Sequence, residues 1–230
     1  PRVQAMTTVS EGLVKEYKKN FNINPVLLTN ANNYVEIAPS ITTDQVQLVH
    51  HGIATPARNL EIMIDMMALL DERFTLHLFL LTPGYASEKT SNYIDSLKAR
   101  AKNNSRIFFH SPVSNEAVVA RIAAYDMGVF LLPPVNFNYA NTLPNKFFDF
   151  IQARLGIAIG PTPEMAAIVN KYDNGVVSPD FTAQSLAQVL NKLTKEDIER
   201  FKQNSAKAAA VYNAENNALM IQSLVAKALL

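Results

Sequence analysis

The sequence of 230 residues contains no cysteine, no tryptophan and only 7 glycines. Without cysteine, the chain can form neither a disulfide framework nor a thiolate metal site. Acidic and basic residues nearly cancel, because 21 Lys and Arg stand against 20 Asp and Glu. We therefore expect no large nucleic-acid-binding surface. No apolar run approaches the roughly 18 residues of a membrane-spanning helix, so we expect no transmembrane segment.

Several catalytic signatures are also missing from the sequence. It has no G-x-G-x-x-G turn, no P-loop and no G-x-S-x-G nucleophile elbow, which weighs against dehydrogenases, kinase-like enzymes and serine hydrolases. No Asp-x-Asp pair is present to hold a divalent cation against a diphosphate. The 4 histidines are not spaced as metal ligands with any carboxylate. We expect neither a metal ion nor a cofactor.

Apolar segments alternate with amphipathic segments through the middle of the chain. Hydrophobic residues make up 48% of the sequence and charged residues 18%, as in an ordinary globular domain. The predicted strands are nearly continuous apolar runs, which is typical of a parallel sheet covered by helices on both faces. The runs are residues 46–52, 74–81, 106–110, 128–132, 156–159 and 175–177. The pattern predicts an α/β fold with a doubly wound, Rossmann-like parallel sheet.

The two ends of the chain differ from this middle part. Residues 1–44 predict a strand, a helix, a strand and a polar linker, which together are too small for a domain. We expect them to be the end of a preceding domain and an interdomain linker, in a fragment that starts at Pro1; the alternative for this start is a natural chain that was processed. Residues 45–213 form the predicted Rossmann-like domain. Residues 214–230 predict a helix that docks on the missing domain through Leu219, Ile221, Leu224, Val225 and Leu229.

Two positive charges stand near the predicted starts of helices that follow core strands. Arg58 comes three residues after Thr55, and Lys146 comes four residues after Thr142. The helix dipole disfavours a cation in the first turn, and a bound anion would remove that conflict. In doubly wound sheets, ligands bind beyond the carboxyl ends of the strands, which is where both helices would begin. The alternative is that both side chains are ordinary solvated charges.

Three further residues could contribute to such a site. Asp149 lies three residues after Lys146 and could accept hydrogen bonds from two ribose hydroxyls. The alternative is an ion pair with Lys146 on the surface of the same helix. His50 and His51 end the first core strand, so one of them could face a ligand. The alternative is that one packs in the core while the other hydrogen-bonds a loop.

Six segments of the sequence resemble the motifs of one enzyme group, the retaining glycosyl transferases group 1 with the GT-B fold. The most specific is Leu143–Phe150, which is similar to the group's "lPnK.fEy" helix. The other segments are residues 7–11, 28–31, 51–60, 109–114 and 125–129. The chain therefore resembles the C-terminal, donor-binding half of a GT-B glycosyltransferase.

The resemblance implies roles for individual residues. Arg58 and Lys146 would bind the diphosphate of a nucleotide-sugar donor and stabilise it during the reaction, while Asp149 would hold the ribose. Gly52 would let the backbone approach the ligand. The remaining implied donor contacts are Pro112 and Val113 at the base, and Asn141, Thr142 and Leu143 at the phosphates.

The resemblance also implies a reaction. A GT-B enzyme transfers a sugar without a metal ion, and its acceptor binds to an N-terminal domain that this chain lacks. Glycan or polysaccharide biosynthesis in the cytoplasm is the expected context, and a peripheral membrane contact through the missing half stays open. We expect the isolated chain to bind a nucleoside diphosphate with little or no turnover.

The chain departs from the group's pattern at three places. Asp149 replaces the usual Glu, Asn141 replaces the first Glu of a Glu-x7-Glu pattern, and Arg154 begins Arg-Leu-Gly where the group has "GlP". Asn141 cannot act as an ionised carboxylate. Two alternatives therefore stay open, namely a non-catalytic binding module of the same fold and a nucleotide-sugar 2-epimerase.

Overall fold

The computed structural model describes residues 5–82, 84 and 92–228. These residues form eight strands, namely β1 Thr7–Thr8, β2 Val26–Leu27, β3 Val46–Ile53, β4 Phe74–Leu81, β5 Ile107–His110, β6 Met127–Phe130, β7 Gly156–Ile159 and β8 Gly175–Val177. The α-helices are α1 Glu11–Phe21, α2 Glu61–Met66, α3 Tyr93–Ala101, α4 Asn115–Ile122, α5 Phe137–Ala140, α6 Asn145–Gln152, α7 Pro163–Tyr172, α8 Ala183–Leu190, α9 Lys195–Ala209 and α10 Ala214–Ala228.

Six of the strands form one parallel sheet in the order β5-β4-β3-β6-β7-β8. The first strand of this sheet, β3, lies between β4 and β6, so the chain winds outward in one direction and then in the other. This is the doubly wound order of a Rossmann-like fold, as the alternation of strands and helices predicts. The reversal at β3 and β6 opens a crevice beyond their carboxyl ends, which is where such folds bind ligands.

The sheet is buried on both faces by two hydrophobic clusters. On one face, α2, α3 and α8 contribute Met63, Leu97 and Leu186 to a cluster that includes Leu48 of β3. On the other face, α4, α6 and α7 pack around the next residue of the same strand, Val49. Successive residues of β3 therefore point into different clusters, which explains why the strand is apolar throughout.

The helix predicted to start at Arg58 starts later in the structure. Pro56–Arg58 forms a 3-10 turn, and Asn59 follows with a left-handed φ of 49°. An α-helix cannot continue through that conformation, so α2 begins at Glu61. The expectation that Arg58 lies in the first turn of an α-helix is therefore wrong.

The N-terminal segment forms its own small parallel sheet from β1 and β2. The last helix, α10, returns to this segment, because Ala214 N donates to Asn32 O at 2.9 Å and Asn217 Nδ2 donates to Thr29 O at 2.6 Å. A mainly apolar groove runs between them, lined by Ala5, Thr7, Leu28, Ile221, Leu224, Val225 and Ala228. Leu229, also predicted on the docking face, lies outside the described residues.

The division of the chain at residues 44/45 and 213/214 stays a prediction. The described part of the chain holds no helix with the length and apolar character needed to span a membrane.

Candidate functional site

The crevice at the sheet reversal brings together residues from β3, α6 and the turn after β3. Gly52, near the end of β3, has a φ of +113° that other residues rarely adopt. A Cβ atom built on Gly52 would lie 3.4 Å from the Lys146 Nζ atom. The glycine therefore meets the ammonium group of Lys146 at the edge of the sheet where a ligand is expected.

Lys146 is buried, with 6% of its surface exposed. Its Nζ atom lies 4.4 Å from the centre of the Phe130 ring. None of the ion pairs within 4.0 Å among the described residues includes Lys146. Lys146 is thus neither a solvated surface charge nor the partner of Asp149 in an ion pair, which were the two alternatives open from the sequence.

The polar contact of Lys146 is with His50. The Lys146 Nζ atom lies 3.0 Å from His50 Nε2, and His50 Nδ1 lies 2.8 Å from Val129 O. A carbonyl oxygen can only accept, so Nδ1 carries the proton and Nε2 is free to accept from the ammonium group. Burial, and then the nearby charge of Lys146, holds the pKa of His50 well below its usual value. His50 is therefore a neutral acceptor.

Arg58 lies close enough to act on Lys146 electrostatically. Burial lowers the pKa of Lys146 well below its usual value, and the charge of Arg58 lowers it further, whereas the charge of Asp149 raises it. Arg58 itself is partly buried, and its Nη1 donates to Ile53 O at 2.8 Å, which fixes the guanidinium beside the end of β3. The structure thus brings the two predicted cations to one place.

Asp149 lies on the next turn of α6 and is also buried, with 4% of its surface exposed. The Asn32 side-chain amide donates to Asp149 Oδ1. His51 Nε2 lies 3.3 Å from the other carboxylate oxygen. Burial raises the pKa of Asp149 to about 6 and lowers the pKa of His51 to about 3. Near pH 7 the carboxylate is charged and the imidazole is neutral, so the contact is not an ion pair.

Two histidines, the buried His51 and the half-buried His77, predict that acid destabilises the fold. Burial lowers the pKa values of His51 to about 3 and of His77 to about 4. Below pH 6.5 the unfolded chain therefore binds more protons at these residues than the folded chain. The free energy of unfolding consequently decreases as the pH is lowered. The raised pKa of Asp149 acts in the opposite direction between about 4 and 6 and offsets one histidine.

Urea unfolding at pH 7, 6 and 5 measures this effect. We expect a decline below pH 6.5 that a His51→Phe variant reduces by about 1 kcal/mol per pH unit. A variant with the pH dependence of the wild type would contradict the assignment of His51 as a buried neutral group.

The other predicted site residues lie around two separate cavities. Asn141, Thr142 and Leu143 line a cavity of about 300 Å³ before α6, opposite Val9, Leu13 and Asn30 of the N-terminal segment. Pro112 lines another cavity, of about 360 Å³, beyond the end of β5. Val113 is half-buried and packs against the hydrophobic cluster that contains α6. Neither cavity is lined by all the residues predicted to contact the donor.

Two contacts of the N-terminal segment were not predicted from the sequence. Asn32 reaches Asp149 across 117 positions of the chain, and nothing in its Asn-rich loop distinguishes it from Asn33. The Glu164 carboxylate accepts from Glu11 N at 3.0 Å and Gly12 N at 2.6 Å. The only hint in the sequence was that the first four N–H groups of any α-helix need acceptors from outside the helix.

Among residues 5–82, 84 and 92–228, no group of three or more His, Asp or Glu side chains is placed to hold a metal ion.

Neither a protein-family model nor a curated protein sequence matches this chain. Solved structures do match it. Sucrose-phosphate synthase from Thermosynechococcus elongatus is 13% identical and superposes with a TM-score of 0.78 over 98% of this chain and 58% of its own. Alr3699/HepE of Anabaena, solved in complex with UDP and glucose, is 12% identical and superposes with a TM-score of 0.74 over 98% of this chain and 64% of its own. The chain has the fold of a GT-B C-terminal domain.

A third GT-B structure extends this likeness. WaaG, a glycosyltransferase involved in lipopolysaccharide biosynthesis, is 15% identical with a TM-score of 0.65 over 89% of this chain and 58% of its own. This chain therefore spans about three fifths of the length of the three GT-B proteins. The likeness establishes the fold, and the structural neighbours are glycosyltransferases.

Proposed function

We propose that this chain is the donor-binding half of a glycosyltransferase that takes a sugar from a nucleoside diphosphate. The observation that carries the proposal is Lys146, a buried cation with no carboxylate within 4.0 Å among the described residues. A buried charge with no counter-charge in contact costs free energy. Asp149 attracts Lys146 from a longer distance, and a diphosphate at the sheet reversal would supply a counter-charge in contact with Nζ, next to Arg58 and Gly52.

The proposed donor contacts follow the geometry of the crevice. Lys146 and Arg58 bind the diphosphate beside the backbone of Gly52, while Asn141, Thr142 and Leu143 contact its phosphates from the cavity before α6. Asp149, ionised above its pKa of about 6, accepts hydrogen bonds from the ribose hydroxyls. Pro112 and Val113 form the proposed surface for the base, beyond β5.

The proposed chemistry is electrostatic. Negative charge grows on the diphosphate as its bond to the sugar breaks, and fixed cations in a site with little water stabilise that charge. We propose no metal ion in this step. The acceptor binds to the other half of the protein, which we place at the groove between α10 and the N-terminal segment. Glycan or polysaccharide synthesis in the cytoplasm is the proposed setting.

One observation favours a second candidate, a binding module of the same fold without catalysis. Arg154, which departs from the glycosyltransferase pattern, is buried and serves the structure. Its guanidinium donates to Gln152 O at 2.7 Å and to Val35 O at 2.6 Å, and it stacks on Tyr34. The neutral Asn141, which stands where the pattern has a carboxylate, favours the same candidate.

Calorimetric titration with UDP, GDP and ADP tests the proposal. We expect one of the three to bind with a Kd below about 1 mM, and its nucleoside to bind at least about tenfold more weakly, because the diphosphate carries the contact with Lys146. If none of the three binds at millimolar concentration, the proposed function is wrong.

A further inference from the structure

His50 occupies a position where the fold calls for an apolar side chain. It lies within β3, is fully buried, and has its ring 5.4 Å from the Phe130 ring. Buried strands of a parallel sheet are built mainly from Val, Ile and Leu. An imidazole in their place must lose its hydration, which costs free energy unless both ring nitrogens find partners. The partners of His50 therefore indicate why it is there.

Those partners form a short relay of hydrogen bonds that ends at Lys146. His50 Nδ1 donates to Val129 O on the neighbouring strand, which fixes the orientation of the ring. Its Nε2 then points a lone pair at Lys146 Nζ, 3.0 Å away. The strand is rigid and paired on both sides by β4 and β6, so the acceptor is held in a defined place.

The relay determines where the ammonium group of Lys146 lies. An ammonium group has three N–H donors, and within the described residues the one hydrogen bond of Lys146 is to His50. The Phe130 ring covers another side of the group. Gly52 also lies next to the ammonium group, because a Cβ atom built on it would be 3.4 Å from Nζ.

We propose that His50 is a positioning residue that holds the Lys146 ammonium group beside Gly52, where it meets the diphosphate of the proposed donor. This inference rests on the proposed function and adds a residue that acts through Lys146 without touching the ligand. Its effect is confined to the diphosphate, since the ribose and the base are held by other residues.

A matched pair of variants separates this role from a purely structural one. His50→Gln places an amide oxygen near the former Nε2 atom and can still accept from Lys146, but it loses the donor to Val129 O. His50→Asn places an amide nitrogen near the former Nδ1 atom and can still donate to Val129 O, but it loses the acceptor for Lys146. If His50 only supports the fold, the Asn variant should behave like the wild type. If His50 positions Lys146, the Gln variant should.

Titration of the tightest-binding nucleoside diphosphate and of its nucleoside gives the readout. We expect His50→Asn to weaken diphosphate binding about tenfold, with nucleoside binding unchanged, and His50→Gln to stay within about threefold of the wild type. His77→Asn on the neighbouring strand β4 is the control and should leave both affinities unchanged. Equal losses of nucleoside and diphosphate, or a loss with Gln but not with Asn, would overturn the proposal.

A measurement on the wild type covers the case in which the variants do not fold. Nitrogen-15 chemical shifts of the imidazole distinguish the two neutral tautomers. We expect the proton on Nδ1 of His50. A proton on Nε2 would overturn the proposal, because that nitrogen could not accept from Lys146. A wild-type chain that binds no nucleoside diphosphate would overturn the proposed function as well, whereas binding that is equal in wild type and His50→Asn would overturn this inference alone.

Discussion

Replacing Lys146 with methionine weakens nucleoside diphosphate binding about 100-fold, the equivalent of about 3 kcal/mol for a lost charge-assisted hydrogen bond and its charge. The same change leaves the free energy of unfolding within about 1 kcal/mol of the wild type. The methionine removes the cost of dehydrating the buried charge of Lys146, but it also removes the attraction of Asp149 and the donor to His50 Nε2, so the gain and the losses offset each other. Calorimetric titration and urea unfolding measure the two effects.

A large loss of binding with little change in stability makes this result specific to a binding role. Lys192→Met, at an exposed lysine after α8, is the control and should change neither quantity. A Lys146→Met variant that binds the nucleotide as tightly as the wild type would refute the role of Lys146. A loss of several kcal/mol in stability would show instead that Lys146 serves the fold.

Replacing Lys202 with methionine should have the reverse effect, with a loss of about 3–5 kcal/mol in the free energy of unfolding. Lys202 of α9 is as buried as Lys146, but its Nζ donates to Asp126 Oδ1 at 3.0 Å and to Ser40 Oγ at 2.8 Å. The substitution leaves the Asp126 carboxylate buried without its counter-charge. Urea unfolding measures the loss, and nucleotide binding by the folded fraction should be unchanged.

A second substitution checks this explanation. Combining Lys202→Met with Asp126→Leu removes both charges, so part of the lost stability should return even though Gln47 N loses its acceptor on the carboxylate. A Lys202→Met variant that loses less than about 1 kcal/mol would contradict the ion pair as a support of the fold, and so would a double variant that is less stable than the single one.

The two buried lysines differ in the groups around them, and these groups indicate the role of each charge better than the extent of its burial does. Lys202 has a carboxylate and hydroxyls from the linker at residues 40–42, so its charge ties the linker to the sheet. Lys146 has a neutral imidazole and an aromatic ring. A fold that keeps a cation in such surroundings retains an attraction for an anion from outside.

The sheet could be predicted from the sequence almost residue by residue. The predicted strands 74–81, 156–159 and 175–177 agree with β4, β7 and β8, because each is an apolar run that ends at polar or turn residues. The start of α2 was missed because Asn59 adopts a left-handed conformation that the apolar spacing of the helix does not reveal. The short helix α5 was missed because its four residues carry no periodic pattern.

The candidate site could be predicted only in part. The positions of Lys146 and Asp149 on one helix followed from their spacing, but their burial did not. The contacts that define their surroundings cross long stretches of the chain, with 96 positions between Lys146 and His50 and 117 between Asp149 and Asn32. Such pairs depend on how β3, α6 and the N-terminal segment pack, which local patterns do not encode.

A crystal of this chain soaked with the tightest-binding nucleoside diphosphate tests the central claim most directly. We predict diphosphate oxygens within about 3 Å of Lys146 Nζ, beside Gly52 and Arg58, with the ribose hydroxyls on the Asp149 carboxylate. A nucleotide whose diphosphate lies away from Lys146, with the ammonium group still bonded to His50 alone, would contradict the claim that this buried cation is the anion site.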